Sequence, residues 1–383
     1  MKRVECLDGL RGIAALWVLI GHSMMLSGLK VPVIAQPDLG VDLFIMLSGF
    51  LMVLQYQLRR GFEDWDRLGT WAAFWTRRFF RIAPLFYAAL LVALILGPMI
   101  YSDRVAIDTF LDHKLQLPER YLDASFTNVL LHLTFVFGLL PSYAFRTPLP
   151  DWSLGLEMQF YAVFPFLMLL ARKIDWLLTV LLIVCASIAI VFLTGYAGVH
   201  FPMPSFLPLK MHLFLCGMLI AADTREDRTR LWLQIGAAVL LAAIPIGVHA
   251  DVLHMIMRAL FVLVFFVVVH LQHVRGIGFA SKLLGSRPFH WLGELSFGVY
   301  LWHLLVLHVV ASWAIARWGH SITPIERFLI VAGIVAAVSY TIAFATYKAI
   351  EIPGQKLGKT IQKRVSGSDS KSKSVAAEEI AAP

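Results

Sequence analysis

The sequence predicts an all-α, polytopic integral membrane protein with about ten transmembrane helices and one possible re-entrant segment. Three observations carry that expectation. Of 383 residues, 59% are hydrophobic and 15% charged, with a mean hydropathy of +0.74, outside the range of soluble globular chains. Apolar runs close to the roughly 20 residues needed to cross hydrocarbon recur from one end to the other. Basic residues gather between alternate runs, the pattern that orients a chain in a bilayer.

Spans are expected at about 11–29, 38–57, 82–100, 152–171, 175–194, 206–222, 231–248, 252–271, 293–316 and 326–347. The first has no small-residue cleavage site behind it and reads as a retained helix rather than a signal peptide. Segment 127–140 is apolar but short and ends at Pro141, which suits an interfacial or re-entrant element. With the N-terminus inside, the arginines between Arg59 and Arg81, the Arg172–Lys173 pair, Arg225 to Arg230, Arg275 to Arg287 and Lys348 to Arg364 all fall on the cytoplasmic side. Counting 127–140 as a span would move the later basic loops outside.

Residues 1–350 are therefore expected to form one transmembrane domain, followed by a cytoplasmic, disordered tail over 351–383. From Ser366 onward the tail has few large apolar residues to offset its ordering entropy. Both termini are expected in the cytoplasm. The net charge of +8 reads as topology and not as a nucleic-acid footprint. Cys6, Cys185 and Cys216 are widely separated, so neither a metal site nor a disulfide framework is expected.

Ionisable groups inside spans are costly, about 2.5–3.5 kcal/mol at a helix centre on insertion scales, and mark function or tight pairing. In the first span His22 follows Arg11 by eleven residues, about three whole turns, so both share one face about 16 Å apart. Asp8 lies three residues before Arg11, within pairing distance on a helix. Arg77, Arg78 and Arg81 stand at the mouth of the third span, and guanidiniums three apart on one face make a fork for phosphate oxygens. Such arginines also serve as topology and head-group anchors.

In the fourth span Asp151 is a candidate N-cap and Ser153, Glu157 and Tyr161 follow at helical spacing. Trp152 and Tyr161 suit an interface belt, whereas Glu157, a turn inside an apolar helix, argues for a function. In the ninth span Ser296, Tyr300 and His303 share a face. Helix–helix hydrogen bonding explains Ser296 and Tyr300 as well as catalysis does.

In their order, these clusters resemble the acyltransferase 3 family of membrane-bound O-acyltransferases over about residues 5–350. The resemblance rests on LDGLRGIAAL with His22 eleven after Arg11, on Gly40-Val41-Asp42-Leu43-Phe44-Ile45-Met46-Leu47-Ser48-Gly49-Phe50, on Arg78 and Arg81, on Trp152-Ser153-Leu154 with Glu157, and on Tyr300-Leu301-Trp302-His303. It implies transfer of an acyl group, usually acetyl, from cytoplasmic acyl-CoA to a hydroxyl of a glycan or glycolipid across a bacterial inner membrane. Acyl-CoA is then a co-substrate, with no bound cofactor. Arg11 and His22 would be the catalytic pair, and Arg78 and Arg81, with Arg77 beside them, would meet the donor's phosphates. Many relatives carry an additional esterase-like domain after the spans, so the chain resembles the stand-alone form.

On this expectation His22 is the general base that deprotonates the acceptor hydroxyl. Glu157 orients His22 or binds the acceptor, and Asp8, Asp42, Trp152, Ser153, Ser296, Tyr300 and His303 support the acceptor side. A covalent route through Ser153 or Ser296 stays open. The rival class is a transporter or flippase for a lipid-linked or anionic solute, since intramembrane Arg, His and Glu also mark relay pathways.

Overall fold

The computed structural model describes residues 6–222, 228–246, 251–271 and 274–365, all helices and connections. The first three helices are α1 (Cys6–Leu26), α2 (Pro37–Arg59) and α3 (Leu68–Phe110). Two short helices come next, α4 (Glu119–Leu122) and α5 (Phe126–Leu133). Then come α6 (Trp152–Lys173), α7 (Trp176–Tyr196), α8 (Leu207–Ala221), α9 (Arg228–Ala242), α10 (Val252–His270) and α11 (Arg275–Leu284). The chain closes with α12 (Arg287–Trp318), α13 (Pro324–Thr346), a π-helical turn (Tyr347–Glu351) and α14 (Ile352–Val365).

Among the described residues eight helices are long and apolar enough to cross a membrane, and two shorter apolar ones, Leu207–Ala221 and Thr229–Ala242, bring the number to the ten expected. Segment 127–140 does not span. It forms the eight-residue α5, a left-handed Phe135 and a 3-10 turn over Val136–Leu139, far below the length a bilayer requires.

Two boundaries differ from expectation. The third helix begins at Leu68, not near 82, and runs 43 residues, about 65 Å at 1.5 Å per residue. Arg77, Arg78 and Arg81 therefore sit within a continuous helix. The chain also does not leave the bundle at 351. It stays helical to Val365, with α14 lying along α3, because Gly354 and Gly358 let α14 approach Pro84 and Phe80 closely. Arg225, the end of the expected 231–248 span and the tail from Ser366 lie outside the described residues.

The bundle is organised around α2, the most thoroughly buried of the eight long spans. Its broadest contact is with α8, where a Cβ on Gly49 would lie 2.1 Å from the Phe214 carbonyl oxygen and one on Gly217 1.9 Å from that of Met46. Small residues permit that backbone approach, which is how helices associate where lipid supplies no hydrophobic drive. The other main seams are α1 on α12 and α12 on α13. Helix α7 turns Leu181 and Phe192 outward, as a lipid-facing helix should, whereas the centre is aromatic, with Phe160 stacked on Phe214 at 4.0 Å.

Candidate active site

The α1, α2, α6, α8 and α12 helices surround a cavity lined by Arg11, Ser48, Ser153, Glu157, Phe297 and Tyr300 among others. Helices α1 and α12 run side by side in the same direction, with Gly12 against Leu292 and His22 beside His303, so Arg11 lies towards the start of both. Tyr300 and Ser153 lie deeper.

Glu157 is fixed by two donors on one oxygen. Ser48 Oγ donates to Oε1 at 2.9 Å and the Tyr161 hydroxyl donates to the same atom. Arg11, Arg78 and Tyr161 lie within its electrostatic reach. The expected Ser153–Glu157–Tyr161 stripe is thus present, with Tyr161 serving Glu157. Glu157 does not touch His22, and its orienting role falls instead to another residue.

That residue is His303, fully buried on α12. Its Nδ1 faces the carbonyl oxygens of Tyr300 at 2.8 Å and Val299 at 3.2 Å. Carbonyls only accept, so Nδ1 carries the proton and Nε2 has a free lone pair. Nε2 lies 3.2 Å from His22 Nδ1, which is also 3.0 Å from the Val18 carbonyl oxygen. Both neighbours are acceptors, so His22 Nδ1 is protonated and Nε2 is its basic nitrogen. His22 itself does not line the cavity. It stands one turn of α12 beyond Tyr300, where the His22 and His303 rings lie 5.1 Å apart.

Tyr300 donates to the Pro150 carbonyl at 2.8 Å, which uses its only proton. Ser153 Oγ, 2.7 Å away, must therefore donate to the phenol oxygen. Ser153 has no basic group abstracting its proton, which weakens the covalent route through it. Ser296 Oγ donates to Gly293 O at 2.7 Å and is fully buried, so it belongs to helix packing. Trp152 is a core side chain outside the cavity lining.

The arginines separate into two kinds. Arg77 pairs with Glu63 at 3.0 Å. Arg78 is buried, takes Gln55 as hydrogen-bond partner and lies over the Phe74 and Tyr161 rings at 5.8 and 5.6 Å. Those contacts hold α3 against α2 and α6. Arg81 is half-buried and, like Arg11, has no hydrogen bond or ion pair with a described residue. The two guanidiniums are close enough to act on one another. Arg81 likewise lies within electrostatic reach of Arg78, so three guanidiniums, from α1 and α3, act on one another here.

Asp8 lies within electrostatic reach of Arg11. Its Oδ2 lies 3.0 Å from His290 Nδ1, and His290 reaches on to Glu294 at 3.5 Å. Asp42, fully buried on α2, faces away from the cavity. Lys210 Nζ and Arg258 Nε each lie 2.6 Å from one of its oxygens. Reasoning from sequence missed Lys210 and Arg258, although both, like Glu157, are ionisable residues inside expected spans.

At the opposite end, the segment between α3 and α6 is closed by polar contacts. Asp151 does not cap α6 with its side chain. It accepts from Thr147 Oγ1 at 2.6 Å and lies 3.6 Å from His132, and burial pushes its carboxyl above the ordinary range. Arg120, over the Phe145 ring at 3.6 Å, is shifted down by burial. Among the described residues no three His, Cys, Asp or Glu side chains converge as metal ligands.

A family model described as an acyltransferase domain matches residues 4–344. The peptidoglycan O-acetyltransferase OatA of Listeria monocytogenes is 24% identical over 334 residues, covering 80% of this chain and 50% of its own length. A protein of Acidianus two-tailed virus named "Putative acetyltransferase ORF330" is 25% identical over 307 residues, 78% of this chain and 81% of its own. One of Komagataeibacter xylinus named "Putative membrane-bound transacylase BcsY" is 31% identical over 166 residues, 42% of this chain and 36% of its own. The chain thus spans half the length of the Listeria relative and about a third of the Komagataeibacter one. No solved structure matches it. With the family model covering most of the chain, the protein belongs to the acyltransferase 3 family.

Proposed function

We propose that the protein transfers an acyl group, acetyl in the first instance, from acyl-CoA to a hydroxyl of a surface or exported glycan or glycolipid. The observation that carries this reading is the line from the Arg11 and Arg81 guanidiniums, which have no hydrogen bond or ion pair with a described residue, through the cavity, to the His22–His303 pair. Guanidiniums suit the phosphates of CoA. The pantetheine arm holds the thioester well away from those phosphates, so a base about 16 Å along α1 from Arg11 is suitably remote. Arg11 and Arg81 serve as the donor site, with Arg78 and Arg77 supporting it structurally.

His22 Nε2 takes the proton of the acceptor hydroxyl as its oxygen attacks the thioester carbonyl carbon. The carbon–sulfur bond breaks, the acyl group stays on oxygen, and CoA leaves as thiolate to be protonated from the imidazolium. Glu157, Ser48, Ser153 and Tyr300 line the route and are the residues for acceptor or acyl-chain contact. The positive-inside bias supports a cytoplasmic location for the basic end of the bundle and both termini, in a bacterial inner membrane. The Listeria relative's name supports a cell-wall or surface polysaccharide as acceptor.

The test is transfer of label from acetyl-CoA to candidate glycans by the purified protein. Label appears in the glycan with the intact protein and is lost with His22→Ala at unchanged accumulation. Transfer that survives His22→Ala sinks the base assignment, and transport of a glycan without labelling returns the protein to the transporter class.

A further inference from the structure

The cavity and the base of the proposed transfer do not meet. Tyr300 and Ser153 line the cavity, whereas neither His303 nor His22 is among the described residues that line it. Tyr300 is the side chain between the two. Its ring lies 6.0 Å from that of His303, whose ring is 5.1 Å from that of His22. On the cavity side the Phe44 ring stands edge-on to it at 5.9 Å.

The phenol is held in that position by its hydroxyl, which donates to the Pro150 carbonyl oxygen at 2.8 Å and accepts from Ser153 Oγ at 2.7 Å. Helix α6 starts its own backbone bonding one residue later, with the Leu154 and Gly155 amides on the Asp151 carbonyl. The Pro150 carbonyl is thereby left to Tyr300. Pro150 itself lies outside any helix, at the end of the segment between α3 and α6. That segment is tied to α4 and α5 by Arg120 Nε to the Thr147 carbonyl at 3.4 Å and Asn128 Nδ2 to the Arg146 carbonyl at 3.2 Å. One hydrogen bond therefore joins the wall between cavity and base to a segment that can shift without unwinding a span.

We propose that Tyr300 is a positioning residue that gates the transfer. Latched to Pro150, it keeps the donor thioester from His22, and it moves aside when the acceptor glycan seats against the α3–α6 segment. The inference rests on the reading of the cavity as the donor route and of His22 as the base. A base that met the thioester with no acceptor present would spend the donor on water. The water oxygen would bond to the thioester carbon as His22 Nε2 took its proton, the carbon–sulfur bond would break, and the CoA thiolate would be protonated from the imidazolium, leaving acetate. Closure of an active site suppresses such side reactions.

Tyr300→Phe keeps the ring and removes the latch. On the purified full chain, the experiment measures CoA thiol released from acetyl-CoA without glycan, and label transferred to the glycan when it is present. Acceptor-free release rises about two- to tenfold, the population shift that one neutral hydrogen bond can hold back, and less of the released CoA is matched by acylated glycan. The rise is lost when His22→Ala is added, because hydrolysis uses the same base. Unchanged or lower acceptor-free release from Tyr300→Phe overturns the proposal, as does a rise that survives His22→Ala. A parallel fall of release and transfer, the mark of a residue needed for folding alone, overturns it too. Should Tyr300→Phe not accumulate, the wild-type protein decides, since total CoA release that is equal with and without glycan leaves nothing for a gate to do and overturns it. If the wild type neither releases CoA nor labels glycan, the acyl-transfer reading fails. If it labels glycan and Tyr300→Phe does not raise acceptor-free release, this inference alone fails.

Discussion

His303 Nε2 lies 3.2 Å from His22 Nδ1, and because His303 Nδ1 is committed to backbone carbonyls, it can only accept the His22 proton. The second imidazole thus sets the tautomer of the first and leaves His22 Nε2 as the basic atom.

Removing that acceptor should scramble the tautomer without removing the base. His303→Ala is expected to lower kcat by about 10- to 100-fold, part of the 10²–10⁴ that general acid–base catalysis supplies, with KM for acetyl-CoA little changed. His303→Gln, whose amide oxygen can accept the same proton, should recover part of the loss. A purely packing role would show equal losses in both variants, scaled to their accumulation in the membrane.

Arg81 and Arg78, three residues apart on α3, should behave differently. Arg81→Gln loses a charge-assisted contact of about 1.5–3 kcal/mol, which raises the KM for acetyl-CoA about 10- to 100-fold at normal accumulation. Arg78→Gln breaks the contacts with Gln55 and the Phe74 and Tyr161 rings. Its expected signature is a lower melting temperature in detergent, with donor KM near wild type in the protein that folds. Donor titrations and thermal melts on the two variants separate these outcomes.

Asp42 is shared by two buried cations. Asp42→Asn leaves Lys210 and Arg258 without their counter-charge, and breaking a buried pair costs about 3–5 kcal/mol. The expected result is a large fall in thermal stability. A companion Lys210→Met change should restore part of it by leaving one cation fewer, as a double-mutant cycle would show. An Asp42→Asn protein that melts normally and loses only activity would place Asp42 in the chemistry.

The ten apolar helices, the short non-spanning segment near Phe126–Leu133 and the family itself were legible in the sequence. Hydropathy and span length are summed along the chain, and the bilayer imposes them locally. The shared face of Arg11 and His22 was legible too, since helical periodicity fixes it within a single element.

Which polar groups meet across helices was not legible. Asp8 met His290, Arg78 turned inward to Gln55, and Arg81 came within electrostatic reach of both Arg11 and Arg78. Helix α14 reached α3 only because Gly354 and Gly358 let it pack on Pro84 and Phe80. The sequence alone determined that this is a membrane protein with ionisable groups in its spans. Only the tertiary structure decided their partners, because each pairing depends on the rotation and approach of two helices far apart in the chain, and no local period encodes that.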